Sequence, residues 1–198
     1  SFRGKLLRVN LDGSPAADNP FYDANDGIGV IDYVFAYGVR NAFGGDWRAA
    51  DGLHYTVENG PSIDRFCQVT PGQNFLWNGT NGSMLNHALY SWNPANGPVN
   101  LAFVQPETFG GSGFPLDKQG HAFVTESGPT YGTGSQAKGK RISEFVLDAS
   151  GAVISGPIPF LEYAGQGKET AVGLAAGPDG LYVTSLYADE GFDPTATG

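Results

Sequence analysis

The sequence predicts an all-β protein that forms part of a β-propeller, and three observations carry that reading. No window of about 11 residues keeps an apolar i, i+3, i+4 pattern without Gly or Pro breaking it, so no long helix is expected. Short alternating segments bounded by Gly, Asp, Asn or Pro recur instead, which is the pattern of short strands and frequent turns. The third observation is an internal repeat of 60–68 residues, the length of one four-stranded blade with long connections.

The elements follow in order. Residues 5–11 form the first alternating segment, opened by Gly4-Lys5 and closed by Leu11-Asp12-Gly13. Gly52-Leu-His-Tyr-Thr-Val-Glu58 is the second, and it ends on Asn59-Gly60-Pro61. Residues 65–69 give a third, with Cys67 packing as a small apolar residue. Gly120-His-Ala-Phe-Val-Thr-Glu126-Ser-Gly128-Pro129 then repeats the second segment, with both Glu and Gly displaced by 68 residues. Residues 142–147 lie in a restatement of the first, Gly139-Lys140 through Leu147-Asp148 to Gly151, displaced by twice that interval. Gly180-Leu-Tyr-Val-Thr184 restates the second segment once more. The 198 residues hold about three such units, too few for the four to eight blades of a closed propeller. Three blades alone leave two unpaired sheet edges, so the chain is expected to meet a missing propeller half or a partner chain. Residues 1–198 are read as one partial-propeller domain, a piece of a longer protein that opens inside a strand and closes on polar residues 192–198.

Composition narrows the function. Eleven basic against twenty acidic residues give a net charge of −9, which repels phosphate backbones and anionic lipid. Nucleic acid and membrane insertion are therefore excluded as partners, and no apolar run approaches the roughly 18 residues of a membrane helix. The same charge suits neutral ligands and a divalent metal. The single cysteine, Cys67, forms no internal disulfide.

Five motifs then occur in a familiar order. Gly4-Lys-Leu-Leu-Arg-Val-Asn-Leu-Asp-Gly13 leads to Ala36-Tyr-Gly-Val-Arg-Asn41, which resembles Y-G-H-R-N with Val39 in place of His. Glu58-Asn-Gly-Pro61 resembles E-x-G-P, Asn74-Phe-Leu-Trp77 resembles N-Y-G-W, and Gly177-Pro-Asp-Gly-Leu-Tyr-Val183 resembles a late G-P-D-G-x-L-Y-V strand. Together they resemble the C-terminal half of the glucose/sorbosone dehydrogenase family, the soluble quinoprotein aldose sugar dehydrogenases. The resemblance implies a six-bladed propeller of which this chain supplies about three blades. It also implies oxidation of a sugar or other alcohol by hydride transfer to pyrroloquinoline quinone (PQQ) held with calcium, in a periplasmic or extracellular protein.

The resemblance implies roles residue by residue. Arg40 and Asn41 would touch and polarise the quinone carbonyl, Arg40 as the catalytic donor; five fixed guanidinium donors suit an electron-poor, carboxylated quinone. The competing reading is an Arg paired with a loop carboxylate and an Asn in a turn. The carbonyls of Gly60 and Pro61 would coordinate calcium, a cation that takes hard oxygen ligands from irregular loops. The competing reading is a turn, because the pattern recurs at Gly128-Pro129. Lys168 is the only cation in residues 168–177, where the family carries two arginines for the PQQ carboxylates. The family's catalytic base would come from an earlier blade, and His54, His87 and His121 match no such position. Arg65 stands where the family has a glutamate after Asp64. Trp77 and Trp92 flank a polar loop as a sugar platform would, with core packing as the alternative. Gly110-Gly-Ser-Gly-Phe114 lacks the Lys and helix of a phosphate loop and reads as a tight connection. Two other functions compete: a non-catalytic extracellular propeller binding carbohydrate or protein, and a calcium-dependent lactonase-type propeller hydrolase using Glu58, Asp64 and Glu126.

Overall fold

A computed structural model of the chain describes residues 1–111, 113–129, 132–136 and 139–187. Ser112 of the glycine-rich connection and residues 192–198 lie outside them. The described residues form twelve strands, and the one α-helical turn among them is α1 (Pro106–Phe109). None of their helices is long and apolar enough to cross a membrane.

Two four-stranded antiparallel sheets make the body of the molecule. The first runs β3 (Ala42–Arg48), β4 (Leu53–Glu58), β5 (Asp64–Val69), β6 (Tyr90–Trp92). The second runs β7 (Pro98–Phe103), β8 (Ala122–Glu126), β9 (Arg141–Leu147), β10 (Val153–Glu162). Each is a meander in strict chain order. Before them, β1 (Lys5–Leu7) pairs with β2 (Val34–Tyr37); after them, β11 (Ala171–Ala176) pairs with β12 (Leu181–Ser185). The architecture is a partial propeller of two whole blades flanked by two half-blades. The first strand is shorter than the alternation suggests, because after Leu7 the chain keeps only an isolated bridge from Val9 to Pro15.

The sequence repeat is a repeat of position. β4, β8 and β12 are all second strands of their blades, and β1, β5 and β9 are third strands. The first strands β3, β7 and β11 pack beside one another, as inner strands around a propeller channel do. All three begin with the same irregularity: the register with the second strand slips between Ala42 and Gly44, between Pro98 and Asn100, and between Ala171 and Gly173. Such bulges bend a strand and re-aim its side chains. Space near the axis is short enough that a Cβ on Gly44 would lie 2.7 Å from Asn100 Cα.

Apolar layers between the sheets hold the stack together. Tyr55, Val57 and Phe66 of the first blade meet Leu101, Phe103, Val124 and Phe145 of the second, with Trp92 buried among them. Phe145 makes edge-on ring contacts with Phe66, Tyr90 and Trp92 at 5.3–5.6 Å. Trp92 is therefore core, as its competing reading has it. Alternate residues of the same strands face the other way. Cys67 and Val69 pack with Ala36, Val39 and Phe75, while Ala102, Phe123 and Ile142 pack with Leu174. Both faces of the middle strands β4, β5, β8 and β9 are thus buried, and successive side chains belong to different inter-blade layers.

Candidate functional site

The residues singled out in sequence lie at one end of the sheets, where second strands finish and inner strands begin. One hydrogen bond repeats there in all three blades and fixes the equivalence of positions. The N–H of Asn59 donates to Asn41 O, that of Ser127 to Gly97 O, and that of Leu186 to Thr170 O. Arg40, Asn96 and Glu169 are therefore equivalent, and so are Val39, Ala95 and Lys168. The loops Gly60-Pro61 and Gly128-Pro129 occupy the same place in consecutive blades.

Beneath this end sits a buried ion pair, also repeated. Arg65 Nε donates to Glu58 Oε2 at 2.8 Å, and neither side chain is exposed to solvent. Arg141 Nε donates to Glu126 Oε2 at 3.0 Å. In each blade the last residue of the second strand faces its arginine across the sheet. Arg65 is thus not a lost acidic ligand. It is the partner that Glu58 requires, and its Nη1 also donates to the carbonyls of Phe75 and Asn86 at 3.0 and 2.7 Å. The other Glu58 oxygen accepts the main-chain N–H groups of Arg40 and Asn41. A carboxylate that holds two successive N–H groups fixes where both side chains begin.

From there the Arg40 side chain rises into solvent. Its Nη1 donates to Asn59 O at 2.5 Å, and its guanidinium lies 5.6 Å from the Trp77 ring centroid. The remaining guanidinium donors and the Asn41 amide stay open to a ligand. Among the described residues Arg40 makes no ion pair, and its guanidinium is bonded to a main-chain carbonyl instead. Asn59 completes the brace by donating through its side chain to Pro98 O in the next blade.

The Gly60 loop is held from below by Asp64. Gly60 N–H donates to Asp64 Oδ1 at 2.9 Å, and Asp64 Oδ2 accepts from Asn96 and Gly97 N–H, both at 2.8 Å. Burial pushes the Asp64 carboxyl above the usual carboxylate range, opposed by the Gly97, Gly60 and Asn96 N–H groups and by the charge of Arg40. Among the described residues no donor reaches the carbonyl of Gly60 or Pro61. The second copy differs. Pro129 O accepts the N–H of Gly132 at 2.8 Å, and Gly128 O accepts the Ser127 hydroxyl at 3.3 Å. Two equivalent loops thus differ: among the described residues one has carbonyl oxygens that no donor reaches, and the other has both carbonyls accepting hydrogen bonds.

The other candidates fall as follows. Lys168 lies half-buried on the connection into β11, at the same end but with no contact to Arg40 or Gly60 among the described residues. His121 bonds Glu144 at 2.6 Å, His54 packs on Trp47, and His87 packs on Phe75, so none approaches Arg40. Along the inner strands a cleft of about 280 Å³, lined by Asp46, Asn100, Phe103 and Leu174 among others, opens between β3, β7 and β11.

Stacked four-stranded meanders around a common line of inner strands define a propeller protein with its polar loops gathered at one end. Residues 1–125 match the family Glucose / Sorbosone dehydrogenase, and the chain belongs to that family. Quinoprotein glucose dehydrogenase B of Acinetobacter calcoaceticus is 35% identical over 78 residues, which is 39% of this chain and 15% of that protein. Among solved structures, the PQQ-bound aldose sugar dehydrogenase of Streptomyces coelicolor superposes with a TM-score of 0.62 at 22% identity, over 91% of this chain and 45% of its own. The apo-form soluble aldose sugar dehydrogenase of Escherichia coli gives 0.62 at 18% identity, over 92% and 51%. The chain spans about half the length of these solved relatives.

Proposed function

We propose that this chain is one half of a six-bladed, PQQ-dependent sugar dehydrogenase and carries the calcium loop and the quinone-polarising arginine. The contrast between the two Gly-Pro loops carries the proposal. The same four-residue pattern has its carbonyls consumed at Gly128-Pro129 and open at Gly60-Pro61, beside an arginine with uncommitted donors. Free carbonyl oxygens on an irregular loop fit calcium. A fixed arginine and a neighbouring amide fit a quinone carbonyl.

When bound, PQQ with calcium would supply the two-electron acceptor for sugar oxidation. The protein groups act around it. Gly60 and Pro61 would hold the calcium through their carbonyls. Arg40 would donate to the cofactor's carbonyl edge, with its own main chain anchored by Glu58 so that little reorganisation is needed as charge develops there. Asn41 would add a second donor, and Lys168 would offer one positive charge to a carboxylate. The proton-accepting group would come from another blade. The free edges of β1 and β12 would be met by that remaining half or by a partner chain, in a periplasmic or extracellular protein.

One observation favours a second reading, a non-catalytic propeller that binds carbohydrate or protein at its channel mouth. The connection into β11 offers only Lys168, a flexible point charge, where a planar fork would grip a carboxylate in two places. A lactonase-type hydrolase is less well supported, because its acidic ligands are already spent: Glu58 on Arg65, Glu126 on Arg141, and Asp64 on three N–H groups. The test is reduction of a dye acceptor by the protein supplied with PQQ, calcium and an aldose. Arg40→Ala is expected to lower kcat more than it raises KM, because its interaction grows with the developing charge. Failure of the unaltered protein to bind PQQ at any calcium concentration gives the case to the binding module.

A further inference from the structure

We propose that Asp64 is the positioning residue of the Gly60-Pro61 cation site, and that it couples occupation of that site to the start of the next blade. The inference rests on the calcium reading above and adds a residue and a consequence to it. The Asn59–Gly60 peptide is pinned at both ends of its plane: its N–H donates to Asp64 Oδ1 at 2.9 Å, and its C=O accepts from Arg40 Nη1 at 2.5 Å. A planar peptide held at both groups has little freedom to rotate. The next residue is Pro61, whose ring fixes its own φ and restricts the residue before it. Gly60 packs so close to the returning chain that no side chain fits there, since a Cβ would lie 1.8 Å from Ile63 O. The two carbonyls are therefore aimed by a short chain of constraints that begins at Asp64.

The sister loop shows what the aspartate contributes. Glu58 faces Arg65 as Glu126 faces Arg141, so the residue equivalent to Asp64 is Lys140. There Gly128 N–H donates to Asn96 O at 2.8 Å, and the Lys140 ammonium donates to Gly132 O at 2.5 Å and lies 5.3 Å from the Tyr163 ring. One loop has a carboxyl group behind its open carbonyls. The other has an ammonium group behind closed ones, where a cation would be repelled. The sign of a single buried residue thus separates the two copies.

Coupling follows from the second oxygen. Asp64 Oδ2 holds Asn96 and Gly97 N–H, the residues that lead into β7. A cation that steadies the Gly60 loop steadies Asp64, and through it this junction. Groups that orient metal ligands from behind typically change affinity about 10–100-fold when removed.

The experiment is calorimetric titration of the protein with calcium alone, without PQQ, alongside Asp64→Asn, Asp64→Ala and Glu144→Gln. Asp64→Asn keeps the shape but presents an NH2 group to one of three N–H donors, and is expected to weaken calcium binding about 10-fold or more. Asp64→Ala is expected to weaken it further. Glu144→Gln, which alters the same neighbouring blade at a carboxylate whose partners are Lys118 and His121 rather than Asn96 or Asp64, is expected to leave calcium affinity within about two-fold. In the unaltered protein, calcium is expected to slow hydrogen exchange at Asn96 and Gly97, and this measurement stands even if both Asp64 variants fail to fold. Unaltered calcium affinity in folded Asp64→Asn, or exchange at Asn96 and Gly97 indifferent to calcium, overturns this inference and leaves the calcium reading intact. No calcium binding by the unaltered protein overturns both.

Discussion

Glu58→Gln is the sharpest single test of how this end of the propeller is held. The substitution keeps the size of the side chain and removes its charge. Arg65 would then keep its Nη1 bonds to Phe75 and Asn86 and its place 5.2 Å from the Phe75 ring centroid, but its charge would have no counter-ion. Neither side chain reaches water, so solvent cannot compensate. Removing one partner of such a pair costs about 3–5 kcal/mol, because an uncompensated charge stays buried. For a chain of this size that lowers the unfolding temperature by on the order of 10 °C. Glu126→Gln is the internal control, since Arg141 retains 16% side-chain exposure and can draw on water; its loss should be visibly smaller. The paired replacement Glu58→Leu with Arg65→Met should recover much of the stability, as buried pairs exchanged for apolar residues of similar volume commonly do. Denaturant or thermal unfolding of the four proteins measures this directly. A Glu58→Gln protein within about 1 kcal/mol of the parent, or no less stable than Glu126→Gln, would refute the reasoning.

Two further outcomes follow from burial and charge. Burial pushes the Cys67 thiol far above the ordinary thiol range, with Glu58 adding to the effect and Arg65 opposing it. The native protein should therefore resist a thiol reagent at pH 8 and react with one equivalent after denaturation; rapid native labelling would contradict the packing. Burial raises the Glu144 carboxyl, but hydrogen bonds from Lys118 and His121, both at 2.6 Å, outweigh it and hold it below its ordinary 4.5. Its stabilising contribution is present above that value and is lost as pH falls through the lowered one. Glu144→Gln should flatten the acid-side loss of stability below pH 4.5, and an unchanged slope would dismiss the pair as a contributor.

What was legible in the fold sorts by strand position. The alternating segments correspond to β1, β4, β5, β8, β9 and β12, which are second and third strands. Of these, β4, β5, β8 and β9 lie mid-sheet, so apolar and β-branched residues fill them and their burial is nearly continuous, whereas β1 and β12 are edges of half-blades and more exposed. Inner and outer strands were hidden for opposite reasons. Along the inner strands glycine and alanine interrupt the alternation, and Ala42-Phe-Gly-Gly-Asp-Trp-Arg48 and Ala171-Val-Gly-Leu-Ala-Ala176 read as loop-like. At the rim, β10 carries Pro157 and Pro159, which a sheet tolerates on an edge strand, and β6 has three residues. The bulges that start β3, β7 and β11 leave no mark that alternation could register.

At the site, the motifs picked out Arg40, Asn41, Gly60 and Pro61, and their order along the chain singled out the first of two Gly-Pro patterns, but the patterns themselves gave no physical reason for the two copies to differ. The deciding residues lie one place before each arginine, Asp64 and Lys140. Unequal connections disguise their correspondence, because Glu58 precedes Arg65 by 7 residues and Glu126 precedes Arg141 by 15. Arg65 stands where the resembled family has a glutamate, and here it is one half of a lock repeated in both whole blades. That contrast suggests where a propeller keeps its chemistry. The hydrogen bond into the inner strand recurs in all three copies and the Glu–Arg pair in both whole blades, with Ser185 at the glutamate position of the last copy. Arg40, Asn96 and Glu169 occupy one equivalent position with three different side chains, and Asp64 and Lys140 occupy another with opposite charge. A reacting centre can be built only from positions that differ between blades, because an invariant one would reproduce its chemistry around the ring. In this chain Arg40 and Asp64 are where the repeat breaks, and both grip the peptide that leads into Gly60.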